Sequence, residues 1–179
     1  SALNHYGFSE QIPRTTFIAT TRARMPLNIL AADYYFVKLE KRKFFGFVPT
    51  AIGTHKINIS NPEKTLADAL DHPEYCGGIG EVAKSLWAAK ELVSIDEVAN
   101  CAKRMGNSAI IKRLGYLVET LEMPVDPKTL AKMREEISQG MSVLDPTMPR
   151  KGRHTTRWNL LVNISKESVE LWRRDFDIA

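Results

Sequence analysis

The spacing of apolar positions along the chain changes near residue 60. Before this point, β-branched and aromatic residues alternate with polar ones in three segments, Thr15–Thr21, Tyr34–Glu40 and His55–Ser60. Such alternation is typical of half-buried strands. Short turns separate the segments, so the first third of the chain predicts an antiparallel β-meander over residues 15–60.

After residue 60 the apolar positions recur every three or four residues, which indicates helices. Residues that favour a helix start precede these segments. They are Asn61 with Pro62, Ser94 in a capping box, Asn107, and Asp126. These helix-start residues, together with the apolar spacing, predict a block of about five helices over residues 62–140.

These patterns together predict an α+β domain in which the meander packs against a bundle of about five helices. The helices are expected to cover one face of the sheet. Trp158–Ile164 is rich in strand-forming residues and predicts a late strand that returns to the sheet. Ser165 follows it and predicts the cap of a short terminal helix.

The first residues predict the end of a helix that stops at Gly7, because glycine is favoured just past a helix C-terminus. The segment has no recognisable capping start. We therefore expect residues 1–10 to end a linker helix from a preceding N-terminal domain. Residues 11–179 then form the main domain: the sheet at 15–60, the helical block at 62–140, and a C-terminal strand and helix at 154–179.

Composition fits an ordinary globular protein, with 179 residues of which 44% are hydrophobic and 26% charged. No apolar run approaches the roughly 20 residues of a membrane span, so we expect no membrane partner. The two cysteines are not in CxxC spacing, which is typical of a reducing compartment. A cytoplasmic location is the prediction.

The net charge of +4 is distributed unevenly. Residues 1–60 carry eight Lys/Arg against three Asp/Glu, residues 61–123 seven against ten, and residues 124–179 ten against eight. An acidic helical centre thus lies between two basic flanks. This mild excess permits a nucleic-acid partner but does not require one.

Cationic side chains cluster in the turn after the second predicted strand, at one helix–helix junction, and in a Pro/Gly-rich loop near the C-terminus. Such clusters suit phosphate groups, although solubilising surface charge is an equal interpretation of the loop. The candidate contacts with nucleic acid or another anion are Lys41, Arg42, Lys43, Arg104, Lys112, Arg113, Arg150, Lys151, Arg153 and Arg157.

Conventional cofactor and catalytic motifs are not found, and the four histidines lack metal-ligand spacing, so no cofactor and no metal are predicted. One enzymatic alternative stays open. Lys64, Asp68 and Asp71 share a helix face and could serve a metal-dependent nuclease-like or phosphoryl-transfer enzyme. A solvated face with salt bridges is the favoured interpretation. For His72 and Cys76, structural roles are likewise favoured over catalysis.

Two long blocks of sequence resemble one known family. Asn58–Ile79 (NISNPEKTLADALDHPEYCGGI) and Ala102–Tyr116 (AKRMGNSAIIKRLGY) are similar to central segments of AbiEi-family antitoxins. Leu144-Asp-Pro and Arg157–Asn163 resemble the family's C-terminal end. The resemblance extends from the first residue to about Asn163.

This resemblance implies the C-terminal antitoxin domain of a bicistronic toxin–antitoxin system, of the kind that aborts phage infection. The implied partner is an AbiEii-like nucleotidyltransferase toxin, neutralised with or without a stable complex. A winged helix-turn-helix domain, which such proteins carry before this domain, would bind promoter DNA. The intact protein would then be a transcriptional autorepressor, and no enzymatic activity is implied.

A protein-interaction module is a third hypothesis, in which the loop Tyr75–Ile79 and the helix within residues 105–116 dock a toxin. The candidate contacts with the toxin or another partner are Glu63, Lys64, Tyr75, Gly77 and Gly78.

Overall fold

The structure is a computed structural model that describes residues 1–11, 14–30 and 32–170. Its α-helices are α1 (Ala2–His5), α2 (Pro62–Asp71), α3 (Ile79–Ala88), α4 (Ile95–Met105), α5 (Ser108–Thr120), α6 (Pro127–Glu136) and α7 (Lys166–Glu170). Its strands are β1 (Thr15–Thr20), β2 (Leu27–Ile29), β3 (Ala32–Lys38), β4 (Phe47–Ile52), β5 (His55–Ser60), β6 (Ser142–Val143), β7 (Arg153–Thr155) and β8 (Leu160–Val162). Short 3-10 helices span Lys41–Lys43 and Pro73–Tyr75. The α+β class is confirmed. The predicted C-terminal helix beyond residue 170 lies outside the described residues.

The five helices of the central block, α2 to α6, are confirmed. Four of them begin at predicted caps, whose side chains accept hydrogen bonds from amides of the first turn: Asn61, Ser94, Asn107 and Asp126. α4 ends at Gly106, which adopts the left-handed conformation with φ 65°. None of the helices in the described ranges is long and apolar enough to cross a membrane.

The strands of residues 15–60 do not form the predicted meander. β1 pairs in parallel with β3, β2 pairs antiparallel with the other edge of β3, and β4 and β5 form a separate hairpin. Alternating polarity shows which faces a strand has, but not its neighbour or its direction. The short β2, Leu27–Ile29, shows too little alternation to be predicted, yet it takes the place beside β3.

The late strand is also placed differently from the prediction. β8 pairs in parallel with β6 and antiparallel with β7, forming a third sheet instead of returning to the strands of residues 15–60. Leu160 is fully buried and Leu161 is 9% exposed. Leu160 belongs to the helical core, and Val162 on the same face packs against it, which is why the strand lies there.

The helices do not cover the N-terminal sheet, so that expectation is wrong. The described residues of β1 to β5 include no buried side chain, and several of their large apolar residues are 36–51% exposed: Ile18, Leu27, Ile29, Tyr35, Phe47, Val48 and Ile57. The helices bury their apolar faces against one another instead. Core residues include Leu66, Leu70, Leu86, Ile110, Leu114, Leu117, Trp158 and Val169.

An aromatic cluster joins the first sheet to the helical block. Phe17 of β1 stacks on Tyr75 with ring centroids 4.6 Å apart, and Tyr35 of β3 lies 6.3 Å from the same ring. His72 stacks on Tyr75 at 5.2 Å. Offset aromatic contacts of this kind stabilise an interface beyond the area they bury.

Helix α5 receives the indole ring of Trp158 at a glycine. A Cβ atom built on Gly115 would lie 2.2 Å from Cη2 of Trp158, so only glycine permits this approach. Trp158 is 1% exposed and its Nε1 donates to Glu119 at 2.8 Å. One helix therefore fixes both the face and the edge of this ring.

We expect Gly115→Ala to lower the free energy of unfolding by about 1–3 kcal/mol, because the added methyl group overlaps the buried indole. Urea titration followed by far-UV circular dichroism measures this change. Gly140→Ala is the matched control, since a Cβ atom there meets no atom within 4 Å. Equal stability of the two variants would contradict the packing.

Candidate functional site

The two sequence blocks Asn58–Ile79 and Ala102–Tyr116 meet in the folded chain. The first holds α2 and the turn after it, and the second holds the end of α4 and most of α5. α2 packs against both α4 and α5. The C-terminus of α2 and the N-terminus of α5 join through a hydrogen bond between Asp71 and Asn107.

Asp71, the last residue of α2, lies at the centre of this junction with its side chain 2% exposed. Its Oδ2 accepts from Nζ of Lys43 at 2.6 Å, and its Oδ1 accepts from Nδ2 of Asn107 at 2.6 Å. Nε2 of His72 is 3.4 Å from Oδ2. We call these four residues the Asp71 cluster. One carboxylate thereby connects the turn before β4, α2 and α5.

Residues 40–46, which we call the basic turn, lie against α2 and α4. The ring of Phe45 contacts two cations: the guanidinium carbon of Arg104 is 3.8 Å from the ring centroid and Nζ of Lys64 is 5.0 Å from it. Nη1 of Arg42 donates at 3.3 Å to the carbonyl oxygen of the glycine that ends α4. Cation–π contacts and a buried ion pair thus hold the basic turn in place.

The three residues of the enzymatic alternative do not form one open site. Lys64 is 1% exposed and pairs with Asp68 one turn later. Burial raises the pKa of the Asp68 carboxyl, which the neighbouring Lys64 opposes. Both oxygens of Asp71 are engaged within its cluster. In the described part of the chain, no group of three or more His, Cys, Asp or Glu side chains is placed to hold a metal ion.

Lys112 and Arg113, predicted to contact an anion, point inward. Nζ of Lys112 donates to Oγ of Ser138 at 3.1 Å and to a backbone carbonyl. Arg113 donates to the carbonyl oxygens of Leu70 at 2.7 Å and Val143 at 3.0 Å. Burial lowers the pKa of both side chains. The expected anion cleft is therefore wrong for these two residues, because they satisfy buried carbonyl groups.

The other predicted cations reach the surface to different degrees. Arg42 is exposed but pairs with Glu40 at 2.8 Å, and Arg157 is held by Glu119. Five of the predicted cations are exposed and form no ion pair within the described residues: Lys41, Arg104, Arg150, Lys151 and Arg153. Among the predicted cations, those without an ion pair therefore lie in two places, the basic turn with Arg104 beside it and the loop that leads into β7.

The residues predicted to contact a partner are mostly occupied by the fold itself. Lys64 and Gly78 are buried, Glu63 and Tyr75 are half-buried, and Gly77 is exposed. Tyr75 belongs to the aromatic cluster, and the two glycines form the turn into α3 with φ 88° and 94°. Direct contact with a partner is open to Gly77 and to the accessible edges of Glu63 and Tyr75.

Residues 1–120 match the family model described as the AbiEi antitoxin C-terminal domain. This span contains both sequence blocks, the basic turn and the whole Asp71 cluster. The chain belongs to the AbiEi antitoxin family. No curated protein and no solved structure matches it. The resemblance drawn from sequence to about Asn163 is wider than this match, which leaves residues 121–179 outside it.

Membership of the AbiEi family assigns this domain an antitoxin role, and an antitoxin implies a toxin partner. The family is regulatory. The span that matches the AbiEi family model includes the basic turn. The cationic loop at residues 150–157 lies outside this span.

Sequence reasoning missed how Lys43, Phe45 and Asn107 work in this AbiEi domain. The sequence predicts only a helix cap at Asn107, yet its Oδ1 caps α5 while its Nδ2 donates to Asp71. The position of Asp71 in the sequence does indicate the partner Lys43 in part. A carboxylate at a helix C-terminus faces the negative end of the dipole, so Asp71 indicates a nearby cation. Phe45 gave no comparable signal.

Asp71→Asn keeps the shape of the side chain but leaves Lys43, whose side chain is 12% exposed, without its counter-ion. We expect the free energy of unfolding to fall by about 2–4 kcal/mol, because the buried ammonium group of Lys43 then has no counter-charge. Urea denaturation measures it. Glu40→Gln, which breaks the exposed pair with Arg42, should change stability little. A loss no greater than that of Glu40→Gln would refute a structural role for the cluster.

The reactivity of the Cys76 thiol distinguishes a catalytic role for this residue from the favoured structural role. Burial raises the pKa of its thiol to about 12. Because the thiolate is the nucleophile, iodoacetamide at pH 8 should modify Cys76 in the folded protein at least about tenfold more slowly than a thiol of ordinary pKa. Peptide mass spectrometry measures the rate, with the urea-unfolded chain as control. Rapid alkylation of the folded chain would reopen a nucleophilic role.

Proposed function

We propose that this AbiEi domain neutralises an AbiEii-like nucleotidyltransferase toxin in the cytoplasm, without enzymatic activity of its own. The intact protein, with a winged helix-turn-helix before this domain, also represses its own promoter. The family match over residues 1–120 carries the proposal, because it supports the antitoxin role. The type of toxin and the repression follow from the sequence resemblance.

We assign the functional contact of the domain to the basic turn and to Arg104 beside it. Residues 1–60 carry eight Lys/Arg against three Asp/Glu, so this end of the domain attracts anions. Lys41 and Arg42 are exposed, while their neighbour Lys43 is fixed on Asp71. Cations held on a fixed backbone lose little freedom when they bind phosphate, which favours contact with the nucleic acid that the toxin uses.

Growth rescue tests this proposal. Cells that express the cognate toxin should regain growth when the 179-residue chain is co-expressed. Lys41→Glu with Arg42→Glu should reduce colony formation by about tenfold or more, because reversed charges repel phosphate. Plating efficiency at equal antitoxin levels, checked by immunoblot, is the measurement.

The matched control reverses two exposed lysines of α6, Lys128→Glu with Lys132→Glu, which lie outside the family match. This variant should protect as the wild type does. A folded wild-type chain that restores no growth would refute the antitoxin proposal. Equal protection by both double variants would refute the contact through the basic turn while leaving the antitoxin role intact.

A further inference from the structure

A cleft of about 280 Å³ lies between the C-terminal half of α5, the β7–β8 region and α7. Its lining includes Tyr116, Thr120, Arg153, Thr155, Arg157 and Lys166. Most of these residues follow residue 120 and so lie outside the matched family span. Its volume is just below the usual range of pockets that enclose a whole drug-sized ligand, and it suits a smaller polar group.

The lining of this cleft combines cations with hydroxyl groups. Arg153 is exposed and forms no ion pair within the described residues. Lys166 reaches Glu170 only at 3.7 Å. The side chains of Tyr116, Thr120 and Thr155, each with a hydroxyl group, line the same cleft. Guanidinium, ammonium and hydroxyl groups around one concave space are the groups that bind phosphate.

Glu119 positions one wall of the cleft. Its carboxylate accepts from Nε of Arg157 at 2.7 and 2.9 Å, from Nη2 of the same residue, and from Nε1 of Trp158 at 2.8 Å. Nη1 of Arg157 forms no hydrogen bond within the described residues. The buried indole is itself fixed against Gly115. The guanidinium is thus held in place with one amino group left to donate, which lowers the entropic cost of binding.

The number of donors indicates which kind of phosphate fits. A phosphodiester in a nucleic-acid backbone carries a single charge, and its two ester oxygens are substituted. A terminal phosphate carries close to two charges and three strong acceptor oxygens. Arg153, Lys166, the Nη1 donor of Arg157 and three hydroxyls around one small cleft match the terminal group better than the diester. Glu119 is already neutralised by Arg157 and does not oppose it.

We propose that this cleft binds the terminal phosphate of a nucleotide, as a free nucleoside triphosphate or at the 5′ end of an RNA. The assignment depends on the side chains that line the cleft and holds whichever toxin the domain neutralises. It adds a ligand site to a part of the chain beyond the family match.

Isothermal titration calorimetry with the 179-residue chain tests the proposal. The probes are ATP, a short RNA oligonucleotide with a 5′-phosphate, and the same oligonucleotide with a 5′-hydroxyl. We expect ATP, the 5′-phosphorylated RNA or both to bind. Arg153→Gln with Lys166→Gln should weaken that binding roughly tenfold to a hundredfold, because each removes a charged hydrogen-bond donor. Binding of only one of these probes identifies the source of the phosphate.

The matched control is Arg150→Gln with Lys151→Gln, which removes the same charge from exposed residues of the adjoining loop outside the cleft lining. It should keep affinity within about threefold of the wild type. Thermal unfolding confirms that both variants fold. The proposal fails if no phosphate probe binds, if the control loses as much affinity as the cleft variant, or if the 5′-hydroxyl RNA binds as tightly as its phosphorylated twin.

Discussion

A carboxylate at the C-terminal end of a helix is badly placed, because the helix dipole there is negative. Asp71 occupies this position at the end of α2 and is buried as well. It is stable there because Lys43 and Asn107 each donate to one of its oxygens. The basic turn, α2 and the start of α5 must therefore assemble together, and the exposed cations beside Lys43 take their position from this carboxylate.

Helix α5 extends this dependence to the other end of the molecule. Its start is capped by Asn107, its middle carries two inward cations that bind carbonyl groups, and its last turns hold Trp158 and Arg157 through Glu119. Because α5 makes contacts along its whole length, a shift of this helix would disturb both the basic turn and the cleft beside Arg157. The strands of residues 15–60 contribute much less to the core and attach mainly through the aromatic cluster around Tyr75.

Local signals predicted the elements well and their partners poorly. Asn61, Ser94 and Asp126 mark helix starts because capping is a short-range interaction. Strand pairing depends on contacts distant in sequence, so the parallel pairing of β1 with β3 was not visible. The same limit applies to the site. Lys112 and Arg113 have the composition of a surface cluster, and only the carbonyl groups brought against them by folding show that they face inward.

Lys43 and Asp71 act as one unit that holds the basic turn on the helical block. A double-mutant cycle measures this directly, using urea denaturation of the wild type, Lys43→Met, Asp71→Asn and the double variant. We predict a coupling free energy of about 1–3 kcal/mol, with the double variant more stable than the sum of the single changes implies. Additive effects, within about 0.3 kcal/mol, would show that the two side chains act independently and would contradict this coupling.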